Sequence, residues 1–127
     1  MPGSEDRSRS PSDKSEPNNV SPYGLKYKDL AVVLELSEHG VSLSEPHDVA
    51  YYLYAFSEQT AAAIAAETTK RKFRTEIHPS PDGTGQWSVV CHRRATLSKK
   101  YIMVVTNYFE QVAAEFDAEY DGWEVAV

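Results

Sequence analysis

Hydrophobic and polar positions change period several times along this chain, and each change marks an element. Lys28 to His39 carries Leu30, Val33, Leu34 and Leu36 on a broad apolar stripe, the spacing of a helix face, and Gly40 sits where that helix would stop. After the polar link Ser42 to Pro46, the run His47 to Phe56 is dominated by Val, Tyr, Leu and Phe and predicts a strand. Ser57 is placed to N-cap an alanine-rich helix that runs to about Arg71. Phe73-Arg74-Thr75-Glu76-Ile77 alternates with period 2, a second strand. Pro79 to Gly85 contains Pro81-Asp82-Gly83, a turn because glycine accepts positive φ. Trp87 to Cys91 reads as the returning strand. Ser98 can cap a helix to about Asp117 with Ile102, Val105, Phe109, Val112 and Phe116 inward, and Glu119 to Val125 holds a closing strand.

Behind an extra N-terminal helix, that order is β-α-β-β-α-β. It predicts an α+β fold of the ferredoxin-like split-sandwich kind, two helices covering one face of a four-stranded antiparallel sheet, with the first and third strands central. Strand alternation places Tyr52, Tyr54 and Phe56 on one face of the first strand and Val49, Tyr51 and Leu53 on the other. If helices cover the Val49 face, an aromatic patch remains. The extra helix is the first expectation for its cover, ahead of a second copy of the chain or a partner. RNA stacking ranks last, because Gln86 to Arg93 lacks the Gly-Phe-aromatic pattern of the RNA-recognition fold.

Composition narrows the class. With 127 residues and 41% hydrophobic content, the chain can build one small core. Residues 1–22, whose only hydrophobic side chains are Met1 and Val20, read as a disordered leader, with Arg7-Ser8-Arg9-Ser10-Pro11 a conceivable docking or phosphorylation stretch; residues 23–127 form the domain. No run approaches the ~18 apolar residues of a membrane span, and the N-terminus lacks the apolar stretch of a signal peptide. The single cysteine, Cys91, excludes an internal disulfide framework and fits a reducing cytoplasm. A net charge of −6 argues against a broad phosphate-binding surface and hence against direct nucleic-acid binding. The charge is unevenly spread: Lys70, Arg71, Lys72 and Arg74 gather near the second strand, whereas residues 110–127 hold six acidic side chains and no basic one. Such polarity would draw a basic partner to the closing strand, although basic residues at a helix end and solvating carboxylates explain much of it too.

Chemistry is sparse. Of His39, His47, His78 and His92, only His78 and His92 are expected to approach, facing each other across the second hairpin, and two histidines without a third ligand make a poor metal site. Cys91 alternates inward with Val89, a buried thiol. Asp82-Gly83-Thr84-Gly85 resembles a phosphate loop but lies in a hairpin, where no helix dipole awaits an anion. No catalytic residue, cofactor site or metal set emerges.

The ending is different. A helix closes in Ala114-Glu115-Phe116, followed by Asp117-Ala118-Glu119-Tyr120-Asp121-Gly122-Trp123. This stretch strongly resembles the C-terminal signature of the bacterial ribonuclease E inhibitor RraB family, and a weaker match of element order extends it over about residues 25–127. The resemblance implies a ferredoxin-like, noncatalytic regulator that docks on ribonuclease E, whose noncatalytic parts are rich in arginine, and lowers its cleavage of RNA. Well-known members continue past the Trp with a long acidic tail, whereas this sequence ends at Val127. The partner-binding candidates are Glu119, Tyr120, Asp121, Trp123 and Glu124, with Tyr52 and Tyr54 of the aromatic face. Tyr120 and Trp123 have opposite strand parity unless Gly122 marks a bulge, so both are also candidates for packing anchors. A self-associating or RNA-contacting module of the same fold is the alternative.

Overall fold

The computed structural model describes residues 20–126 apart from Asp82 and Thr84. The expected leader up to residue 19 and the two polar residues of the glycine-rich hairpin turn lie outside them. In chain order the elements are α1 (Tyr27–Glu38), β1 (Pro46–Ala55), α2 (Glu58–Lys70), β2 (Arg74–Pro79), β3 (Trp87–Thr96), α3 (Lys99–Glu115) and β4 (Glu119–Val125). The described chain is thus α+β, three helices with one antiparallel sheet in the order β2-β3-β1-β4.

Local chemistry sets the helix ends. Ser57 and Ser98 accept hydrogen bonds from the backbone N–H groups of Thr60 and Tyr101, satisfying donors that the first turns leave free. The C-termini share one device. After α3, Ala118 N–H bonds Ala113 O at 2.8 Å and Asp117 N–H reaches Ala114 O at 3.4 Å, while Asp117 takes φ 54°. After α2, Phe73 and Lys72 bond back to Thr68 and Thr69, with Lys72 at φ 73°. These are Schellman closures, in which one residue in the left-handed region lets the chain cap its own carbonyls.

Cross-strand register then sorts the side chains. Val49, Tyr51, Leu53 and Ala55 of β1 and Val89 and Cys91 of β3 are essentially fully buried and pack with Ile64, Ile102 and Phe109. Phe109 is the hub. Its ring stacks on Tyr51 at 4.7 Å and on Tyr120 at 5.7 Å, and meets Phe73 edge-on at 5.0 Å. Burial raises the pKa of Cys91, leaving an inert thiol.

Four expectations change. The extra helix does not cover the Tyr52 face: α1 lies beside α3, with Lys26 Nζ 2.9 Å from Asn107 Oδ1 and Lys28 Nζ 3.7 Å from Glu110. It therefore thickens the helical layer. Its stripe is narrower than the sequence implied, since Leu36 is buried but Leu34 is exposed. β3 runs on to Thr96, past the expected Arg93, because β1 is equally long and pairs with it to the end, which brings Arg94 onto the sheet. Val20 to Pro22 already belong to the fold, for Val20 bridges Lys26 and Ser21 is buried.

Candidate functional site

The closing strand takes its shape from one glycine. β4 pairs with β1 as Tyr51↔Trp123 and Tyr52↔Gly122, then as Leu53↔Tyr120, so Asp121 is an extra residue without a partner. Gly122 has φ +105°, and a Cβ there would meet nothing within 4 Å; the requirement is backbone conformation rather than space. The bulge reconciles the parity of the two aromatics, placing both Tyr120 and Trp123 on the helix-covered face. Gly122→Ala should therefore lower stability by about 1–2 kcal/mol, read as a drop in the urea midpoint. An unchanged midpoint would refute the bulge.

Trp123 is buried, and its indole N–H donates to Asp29 Oδ1 at 2.9 Å. Asp29 is itself buried in the first turn of α1, where the helix dipole favours a carboxylate. This bond ties the last strand to the first helix across 94 positions of sequence. Tyr120 is half-buried between Phe109 and Lys28, whose ammonium sits 5.2 Å from the ring centroid. Burial raises the Tyr120 pKa.

The opposite face of the sheet is open: among the described residues, every side chain on it is at least partly accessible. It reads as rows across β2, β3, β1 and β4. Arg74, His92, Ala50 and Glu124 form one row, Glu76, Val90, Tyr52 and Gly122 the next, and His78, Ser88, Tyr54 and Glu119 the third. Beyond the first row, Arg94 lies opposite Asp48. The candidates thus divide. Tyr52, Tyr54, Glu119 and Glu124 meet on the open face, Asp121 projects at the bulge, and Tyr120 and Trp123 point into the fold.

Charge divides the face as well. On the β4 side, Glu119, Asp121 and Glu124 are exposed. Tyr52 donates its hydroxyl to Glu124 Oε2 at 2.6 Å, and this bond, with some burial, pushes the phenol up from 10.0 to about 12. Because the folded state holds the neutral phenol more tightly than the unfolded state does, the bond's stabilisation is full below pH 10 and is lost as pH rises through 12. Glu124→Gln should return Tyr52 toward the ordinary phenol range in an ultraviolet titration; no change would show that the carboxylate is not the cause.

Toward the other side, Arg74, His92 and Arg94 of the open face join Lys72, Asp48, Ala126 and Arg93, which belongs to the helix-covered face opposite Val49, in lining a depression of about 520 Å³. Arg93 was not singled out by sequence. Its guanidinium lies 3.7 Å from the Phe73 ring centroid and donates to the Arg71 carbonyl oxygen. Glu76 binds Arg74 at 2.6 Å and reaches His78 at 3.2 Å and His92 at 3.6 Å. His78 and His92 hence do not face each other: their register partners are Ser88 and Arg74, and what they share is one carboxylate. Hydrogen bonds from His78 and Arg74 hold the Glu76 carboxyl below its usual range. Among the described residues no three His, Cys, Asp or Glu side chains are placed to hold a metal ion, and no helix is long and apolar enough to cross a membrane.

This arrangement can present charge and aromatic surface. It joins no nucleophile to a base. Compared with known proteins, residues 28–125 match a family model described as "Regulator of ribonuclease activity B". A comparison with curated proteins finds no match.

Proposed function

The chain belongs to the RraB family, regulators of ribonuclease activity B, and from that premise we propose that it is a noncatalytic regulator that binds ribonuclease E or a related nuclease and modulates RNA degradation. Its core reads as a ferredoxin-like split sandwich, and its working place as the cytoplasm. The observation that carries the proposal is the exposed acidic edge of β4, where Glu119, Asp121 and Glu124 stand on a strand fixed from behind by Trp123. Three carboxylates on a rigid element attract an arginine-rich segment at long range and suit one that lays guanidinium groups along the strand. Tyr52 and Tyr54 beside them offer rings to the same segment. Tyr120 and Trp123 act by holding the edge in place.

Immobilised domain should retain the nuclease from a native cell extract at low salt and release it as salt rises, because the attraction between exposed charges is screened. Tight retention of RNA by the purified domain, with no nuclease recovered, would contradict this reading.

A further inference from the structure

We infer that the open sheet face is the contact surface of a symmetric dimer, a second copy of this chain lying on it with the two-fold axis parallel to the strands. Such an axis, lying between two stacked sheets, exchanges left and right but leaves position along the strands unchanged, so β2 of one copy faces β4 of the other and β3 faces β1. The register then fixes which residues oppose. Arg74 meets the second copy's Glu124, His78 meets its Glu119, and Arg94 meets its Asp48; Val90 meets its Tyr52 at the centre. No like charges oppose in any row. An axis across the strands through the central row would instead put β2 on β2 and β4 on β4, so that Arg74 meets the second copy's His78, Glu76 meets its Glu76 and Glu124 meets its Glu119. Charge therefore selects one dyad.

Stacked sheets cross at about 30°, which displaces the outer pairs by a few Å, within the reach of Arg and Glu side chains. Strands about 4.8 Å apart, with residues rising about 3.3 Å each over 10, 6, 10 and 7 residues, give a face of roughly 520 Å². Two copies would bury about 1,000 Å², the size of a weak interface. The dimer should be weak, salt-sensitive and concentration-dependent. It would also compete with a basic partner for Glu119 and Glu124, although the inference does not rest on that partner's identity.

Sedimentation equilibrium of the full chain over a hundredfold concentration range tests it. The chain should pass from monomer to dimer. Arg74→Glu and Glu124→Arg should each weaken association at least about tenfold, since each sets like charges opposite one another twice per dimer. An equimolar mixture of the two variants should associate again, because the mixed dimer restores opposite charges at both places. Arg94→Asp mixed with Asp48→Arg, on the neighbouring row, gives the same readout independently. A chain monomeric throughout, a dimer indifferent to these changes, failure of both mixtures to recover, or an RNA or basic peptide held on this face by an obligate monomer would each overturn the inference.

Discussion

Trp123→Ala should be the most damaging single substitution in the closing strand, lowering the unfolding free energy by about 3–5 kcal/mol from the lost ring alone. A further 1–3 kcal/mol or so follows because the Asp29 carboxylate is left buried without its donor. Against a total of about 5–15 kcal/mol for a domain of this kind, the variant should be largely unfolded at moderate temperature. Two companions separate the terms. Trp123→Phe keeps most of the packing and removes the N–H, so it should show mainly the second cost. Asp29→Leu combined with Trp123→Phe removes both partners and should be less unstable than the two single costs added together. Urea denaturation of wild type, Asp29→Leu, Trp123→Phe and the double variant measures this coupling. Additive effects would mean that the Trp123–Asp29 bond contributes nothing.

Reversing the acidic edge should have the opposite profile. Glu119→Lys, Asp121→Lys and Glu124→Lys together change exposed side chains on a strand whose inward residues are untouched, so beyond the loss of the Tyr52–Glu124 bond the thermal midpoint should shift little. Affinity for a ribonuclease E-like partner should fall on the order of a hundredfold, with the association rate and its salt dependence most affected. A triple variant that binds as wild type would move the contact to another surface. The pairing is informative because both sets of residues lie on one seven-residue strand. One face of it packs in the fold, and the other carries the exposed carboxylates.

Much of this was legible in the chain before any coordinates. Periodicity, composition and caps located all seven elements, and the closing strand runs over Glu119–Val125 as expected. Ser57 and Ser98 announced their helices because a serine hydroxyl before a helical run has one obvious task. The signature could be recognised but only partly interpreted. Asp117 terminates a helix in the left-handed region, Gly122 makes the bulge, and Trp123 fills the core. Much of the motif that identifies the family is therefore architecture.

What stayed hidden depends on contacts remote in sequence. Nothing near Asp29 announces an indole 94 positions away, because a carboxylate in a first helical turn has a sufficient local explanation in the dipole. The side that α1 takes is hidden for a related reason: its apolar stripe shows that it packs, without showing on what. The rows of the open face require the register, since a slip of one residue would send Tyr52 and Tyr54 inward. Arg94 joins those rows only because β3 outruns its hydrophobic stretch.

The central claim is that the acidic edge of β4 recruits a ribonuclease. Its most direct test is calorimetric titration of the purified domain with the noncatalytic, arginine-rich region of ribonuclease E at low and at moderate salt, with wild type and the triple lysine variant side by side. Saturable binding by wild type that weakens with salt and is absent in the variant is the predicted result. No binding by folded wild type at low salt, or equal binding by both proteins, would contradict it.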